Sequence, residues 1–527
     1  MHFRTLAGLA LLLGGTPLAQ TAEPPLAPKR LSLTECIDLA LARNFDVQIQ
    51  HLSADMAAFS LTSSYGAYDP VLSFQARHDF VAQPADFDPK KPGFDSPYEL
   101  GADTIGPELK GALPFGLSYD FLATSGLNTA QSDLRIASPS VGIRTTNNFD
   151  ASATLALRQH LLKDFWVDAA RELVLVRRTD LKISHEALHF QIMKTVLAVE
   201  LGFYDLQAAR QEVIVREKAV ELKRALLAET KRRIELGDLP PLEGEQAASQ
   251  LQTAMAAVSA ARELLFTRQN GLKGLLTDNF RAWAGTELEA TGALVAVPEQ
   301  IDQSQSFLDA LRNRPDLIEA RLAVEKSDVA VRFRFNQLLP SLDLIGSYGG
   351  LGIQPDSSAA ISDALHARNP IYYYGAVVSM PLGSVSTRND YKSSKAAREI
   401  SKLQLKQAED GVLLQVADLA NRVKTRYEQV DSTHQARVFA EAALAAEQKK
   451  LQNGFTTGFT VLQFQEILTT AQNAELQALA DYNKMQAQFA FAVGATLERR
   501  HIALDTGTRP SKPNHPEVKP TPPAAHP

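Results

Sequence analysis

Cysteine is almost absent. The 527 residues hold one, Cys36. A lone cysteine excludes an internal disulfide framework. It does not sit at the end of the N-terminal leader, so it is no lipid-anchor site and reads as a small buried helix residue. One-signed charge is missing too: 54 basic residues face 60 acidic ones, net −6. That balance points to no nucleic-acid partner. Past the leader no stretch approaches ~20 apolar residues, so no helix can span a bilayer. If the chain crosses a membrane, it must do so with strands.

Proline and glycine are scarce over two long stretches. Between Phe165 and Leu236 there is no proline and one glycine, Gly202; between Val385 and Asn453, no proline and one glycine, Gly411. Each stretch predicts a helix of roughly 100 Å at about 1.5 Å per residue. Such length means a coiled coil or an assembly.

Apolar residues recur every seven positions in the first stretch: Ile192, Val199, Leu206, Val213, Val220, Leu227 and Ile234. The second keeps the step at Val416, Val423, Val430, Leu444 and Leu451, with Arg437 as the one interruption. A strict heptad repeat supercoils against a partner helix. Both stretches end in a turn, "ELGDLPPLEG" (235–244) and "LQNGFTTGFT" (451–460), and return through a shorter amphipathic run. These are antiparallel helical hairpins with tips at Gly237 and Gly454, where glycine accepts the left-handed conformation.

His185-Glu186-Ala187-Leu188-His189 matches the helical H-E-x-x-H signature of a zinc protease. A zincin also needs a third ligand and an open cleft. Ile192 and Thr195 stand where a metzincin would carry glycine and histidine. The two histidines continue the heptad stripe and read as polar residues in a wet stretch of it, with no catalytic, cofactor or metal site expected.

The N-terminus predicts a signal peptide over 1–22. His2 and Arg4 precede the apolar run Leu6–Leu13, followed by Gly14, Gly15 and Pro17, with cleavage after Ala19 or Ala22. The mature chain is therefore exported.

The sequence also repeats itself. A shift of 270 residues lays Ala40-Leu41 on Ala310-Leu311, Asp46 on Asp316, and Pro70 on Pro340. A shift of 217 lays Val199 on Val416 and Gly237 on Gly454. Repetition at this scale means two copies of one unit. Each copy reads helix, strand, loop, strand, long helix, tip, return helix. The first spans 31–275, with strands near 71–80 and 148–160 and a tip at 235–243. The second spans 304–497, with strands near 341–350 and 370–382 and a tip at 452–460. Strand candidates alternate apolar and polar residues, as Phe149, Ala151, Ala153, Leu155 and Leu157 do against Asp150, Ser152, Thr154 and Arg158. Such strands suit an outer-membrane barrel, with Tyr372, Tyr373 and Tyr374 at its interface; a soluble half-buried sheet gives the same alternation. Four strands close no barrel unaided.

With "LTECIDLALARNFDVQ", its copy "FLDALRNRPDLIEARL", Pro70 and Pro340, the passages "LALRQHLL" and "VVSMPLG" and the two glycine tips, the chain resembles the outer membrane factor (TolC-like) family of efflux and secretion channels. The resemblance covers roughly 31–500. It implies an α+β membrane protein, a homotrimer whose twelve-stranded β-barrel (four strands per chain) sits in outer membrane lipid and continues as a long α-helical coiled-coil barrel through the periplasm. It implies a periplasmic adaptor docked at the tips and an inner-membrane pump of RND or ABC type. By position Gly237 and Leu239, and Gly454, Thr457 and Gly458, match the adaptor-facing turns.

There are departures. Relatives often carry acidic residues just after the second tip, forming a ring at the pore entrance; here those positions are Thr460 and Gln463, while Glu243 and Glu245 follow the first tip. The first copy holds 53 extra residues, expected as a long external loop with a hairpin at 116–126. Residues 276–303, with Trp283, are expected as an equatorial belt. The tail, 505–527, is proline-rich and reads as disordered. The function expected is a passive duct for efflux or type I secretion, gated by sliding coiled coils at the tips, with Arg437 either a weak point of the seam or a long side chain reaching water along it. The alternative is a secreted coiled-coil adhesin or structural protein.

Overall fold

The computed structural model describes residues 28–83, 98–133, 142–237 and 239–502. The signal peptide, the proline-rich tail and parts of the expected loop (84–97, 134–141) lie outside the described residues.

In chain order the elements are β1 (Lys29–Leu31), α1 (Leu33–Arg43), α2 (Phe45–Ser64), β2 (Val71–Gln83), β3 (Tyr98–Ala112), β4 (Leu117–Asp133), β5 (Ile143–His160), α3 (Ala169–Glu235), α4 (Pro241–Leu276), α5 (Phe280–Trp283), β6 (Leu288–Ala290), α6 (Gln303–Asn313) and α7 (Pro315–Asn336). Then follow β7 (Ser341–Gln354), α8 (Ser357–Leu365), β8 (Asn369–Ser379), α9 (Val385–Gln452), α10 (Gly458–Val493) and α11 (Thr496–Arg499). Helices α3 and α9 have 67 and 68 residues. Their lack of proline leaves every backbone donor free to continue the ladder. No helix is long and apolar enough to cross a membrane among the described residues.

Two compact units form, each drawing on both halves of the sequence. One gathers the described part of 1–45 with 195–299 and 422–488. Here the heptads do their packing: Val199, Leu206 and Val213 of α3 and Val423, Val430 and Leu444 of α9 are buried. The stripe carries polar pairs as well. Lys223, buried in α3, donates to Glu466 of α10 at 2.8 Å. Arg437 is held too, its Nε 2.5 Å from Glu475 on α10 and its Nη1 3.0 Å from Glu441. His434 meets the same Glu475 at 2.6 Å. The interruption of the second seam is therefore a bridge between α9 and α10.

Residues 276–299 run along this unit. β6 pairs in parallel with β1, an element the sequence reading lacked. Lys29 stacks its ammonium over Trp283, 4.2 Å from the ring centre. Tyr482 of α10 donates to the Val297 carbonyl at 2.5 Å. Burial and the charge of Glu299 push the Tyr482 hydroxyl up from its ordinary pKa. Cys36 is buried in α1, and desolvation pushes its thiol up to about 12.

The other unit comprises 46–194, 300–421 and the described residues after 488. Its centre is one antiparallel sheet in the order β2-β3-β4-β5-β7-β8. Six strands stand where four were expected, so the count of twelve for three chains does not fit this sheet. Of the segment read as a hairpin at 116–126, all but Gly116 lies within a single strand, β4. The turn comes earlier: the Leu113 amide donates to the Leu117 carbonyl at 2.7 Å. Gly116 turns the chain there at φ +84°. β5 then pairs β4 instead of β2, so the extra hairpin is part of the sheet.

Helix α8 lies on one face of the sheet near its loop end. Gly350 and Gly352 make room for it. A Cβ on Gly352 would come 1.9 Å from the Ala360 carbonyl, and one on Gly350 2.3 Å from that of Ala364. The helix is capped by Asp356, which accepts from the Ala359 amide.

Candidate channel face and helical tips

Along a strand, side chains alternate between the two faces, so register decides which residues share a face. Strand by strand, Leu72, Leu109, Phe121, Leu155, Tyr348 and Tyr372 stand opposite one another. This row crosses all six strands without one charged side chain. Most of it is exposed: Leu72 at 72% and Tyr372 at 68%. Phe74, Ile105, Ala153, Leu157, Leu344 and Val378 lie on the same face by register. α8 covers part of it, and its exposed Ile361 and Leu365 line an apolar groove with Ile105, Ala123 and Ala153 of the sheet. His78 and Asp103, 2.7 Å apart, are the first ionisable pair on this face toward the loop end.

One residue along, the neighbouring row reads Val71, Lys110, Asp120, Ala156, Ser347 and Tyr373. Its face is polar and mixed in sign. Lys110 lies 2.6 Å from Glu108 and 3.8 Å from Asp120. Arg77 pairs with Asp79 at 2.8 Å. Asp343 receives His160 at 2.7 Å and Arg158 at 3.9 Å. Thr124 and Ser152 share a hydrogen bond at 2.8 Å. Near neighbours neutralise one another, so this face offers water a dense polar lining with little net field.

The tips belong to the other unit. Gly237 ends the first long helix at φ +82° and Gly454 the second at φ +74°. The Gly237 amide donates to Ile234 at 3.0 Å and the Gly454 amide to Leu451 at 3.1 Å. Leu239 lies in the first turn, and Leu236, Leu242 and Phe455 beside the tips are exposed at 68%, 66% and 82%. In the second tip the Thr457 hydroxyl accepts from the Thr460 amide at 3.4 Å and lies 3.1 Å from the Thr460 hydroxyl. Gly458 opens α10. Glu243 in the first turn of α4 and Gly458 line one small cavity with Thr230, Gln246, Ala247 and Leu462. The two tips thus meet. Glu245 and Gln463 are exposed, Glu243 and Thr460 half-buried. The sequence reading missed Phe455, whose exposure as a large apolar side chain at a helix end was visible as "NGF".

The H-E-x-x-H residues lie on α3 in the sheet-bearing unit. His189 faces the motif's own Glu186 at 3.6 Å, and His185 is exposed. Among the described residues no group of three His, Cys, Asp or Glu side chains could hold a metal ion.

A six-stranded sheet with one apolar and one charged face, joined to two tip-forming hairpins of very long helices, defines a channel-forming class. Comparison with known proteins finds the same arrangement elsewhere. Residues 308–495 match the outer membrane efflux protein family. The outer membrane efflux protein BepC of Brucella suis is 22% identical over 350 residues, 65% of this chain and 71% of that protein. The fusaric acid resistance protein FusA of Burkholderia cepacia is 21% identical over 246 residues, 46% of this chain and 43% of its own. The outer membrane channel CmeC of Campylobacter jejuni superposes with TM-score 0.63 at 14% identity over 90% of each chain. The outer membrane protein VceC of Vibrio cholerae gives 0.62 at 15%, over 88% and 96%. Residues 308–495 thus resemble the outer membrane efflux protein family, and the chain shares the fold of these outer membrane channels. The family and these structural neighbours are channels.

Proposed function

We infer that the chain is the outer membrane channel of a tripartite efflux or type I secretion system, conducting cargo passively across periplasm and outer membrane. The observation that carries this is the sheet. It has two open edges, β2 and β8, and one face that carries an apolar row from edge to edge, covered in part by α8. Open edges invite further strands, and a closed barrel removes them. In lipid only closure satisfies every backbone group.

The partner at each edge is a second and third copy of this chain, a homotrimer. Closure by copies needs β8 of one chain to run antiparallel to β2 of the next, and their senses along the sheet, opposite at the two ends of an even-stranded antiparallel order, meet that need. Helix α2 supports the same reading. Ile49, Leu52, Met56 and Phe59, all exposed above half, form a stripe at helical spacing with no cover from their own chain.

The tips, with Gly237, Leu239, Gly454, Thr457 and Gly458, receive a periplasmic adaptor, and an RND- or ABC-type pump in the inner membrane drives the cargo. Three copies of Glu243 and Glu245, with Thr460 and Gln463, form a polar ring at the entrance, its acid supplied by the first repeat. Parting of the tip hairpins opens the duct.

Expression of the full chain in a Gram-negative host tests this. The protein is expected in the outer membrane fraction, extracted only by detergent, and linked into trimers by a short amine-reactive reagent. A monomer that stays in solution after the membranes are removed would overturn the reading in favour of a secreted adhesin.

A further inference from the structure

We propose that the β3–β4 hairpin is built into the barrel wall, so that the trimeric channel closes with eighteen strands and a wider outer-membrane lumen than four strands per chain would give. This rests on the trimeric reading above.

Three observations carry it. First, the hairpin sits inside the strand order, between β2 and β5, and pairs with both neighbours through long registers. β3 pairs β2 at every position from Tyr98 to Lys110, and β4 pairs β5 from Leu117 to Asp133. A hairpin meant to stand outside the wall would leave β2 and β5 paired to each other. Second, the hairpin shares the wall's two faces. Leu109 and Phe121 continue the apolar row between Leu72 and Leu155, while Lys110 and Asp120 continue the polar row between Val71 and Ala156. A one-residue slip would reverse both, so this register is specified by the pattern. Third, an insertion of two strands keeps the number even. The outer strands β2 and β8 then still run in opposite senses and can meet their copies antiparallel.

The consequence is size. Barrel diameter grows about linearly with strand number. At about 4.8 Å per strand and a tilt near 40°, twelve strands give a circumference of roughly 75 Å and eighteen roughly 110 Å. The lumen is thus about half as wide again. The hairpin also brings its own lining, Glu108, Lys110 and Asp120, paired among themselves. The added wall is therefore wet and nearly neutral. Cargo is selected at the tips, and the membrane segment passes bulkier cargo than a twelve-stranded wall.

Disulfide trapping in outer membranes tests the arrangement, with the native chain as background because Cys36 is buried. Ser73→Cys with Glu108→Cys, and Thr124→Cys with Ser152→Cys, are expected to link within one chain, since each pair stands in direct register. Ser73→Cys with Thr154→Cys is expected not to link. Ser73→Cys combined with single cysteines along 371–379 is expected to give chain-to-chain links at one register. Images of the trimer in lipid are expected to show eighteen strands. A Ser73–Thr154 link with chain-to-chain links intact would overturn the wide barrel and leave the trimeric channel standing. Absence of any chain-to-chain link would overturn both.

Discussion

Glu319 on α7 carries a charge that its surroundings disfavour. Desolvation comes first, then the like charges of Asp316 and Glu186; together they raise its carboxyl above the usual range. Glu186 in turn lies 3.6 Å from His189. A raised carboxyl binds its proton more tightly folded than unfolded. The stabilisation this brings is fully present below the unfolded value, about 4.3, and is lost as pH rises through the folded value. At neutral pH the wild-type chain therefore carries a penalty that Glu319→Gln removes. Thermal unfolding in detergent should show the variant melting higher at pH 7, with the two curves converging below about pH 4. A variant that melts lower at pH 7 would show that the charge is used.

Elements carry the next level of argument. The heptads were legible because period seven and burial coincide at Ile192, Val199, Leu206, Val416 and Val423. Burial fades toward the tips: Val220, Leu227 and Leu451 are only half-buried. Periodicity alone could not reveal this, since it reports a face and not what covers it. The partner of Arg437 was equally illegible, because Glu475 is 38 positions away and on another helix. Strand β3 escaped the sequence reading for a different reason. Its apolar face carries Gly101, Asp103 and Gly111 among Ile105, Pro107 and Leu109, so the alternation is broken there. Helix α8 escaped because nine residues between two strands read as loop.

That helix yields its own prediction. Its backbone rests directly on Gly352, so Gly352→Val puts a side chain into the Ala360 carbonyl. Overpacking of this kind costs typically about 1–3 kcal/mol. The expected result is a chain that unfolds at lower temperature in detergent, with α8 newly open to protease while the long helices stay protected. Ser362→Val, on a partly exposed position of the same helix, should change neither. If Gly352→Val leaves protection of α8 intact, the helix does not seat on the sheet.

At the scale of the whole molecule the question is which medium meets which face. A soluble sheet and a membrane wall share the same alternation; they differ in what an exposed apolar side chain touches. Phe74 is 68% exposed on the apolar face. Its neighbour Ser73 points the other way and contacts Glu108, 3.2 Å from the carboxylate. If the apolar face meets lipid, Phe74→Arg places a cation in hydrocarbon at a cost of about 2–4 kcal/mol near the midplane. Three copies suffer it at once, so trimer yield in the outer membrane should fall steeply. Ser73→Arg adds the same charge one residue away, on the wet face beside Glu108, and should assemble at the wild-type level. In a soluble sheet the order inverts: Phe74→Arg, already facing water, would be harmless or would improve solubility. Quantifying trimer in outer membranes for the two variants therefore reads the orientation of the wall directly. Equal yields would mean that neither face meets lipid, and the channel reading would fall with them.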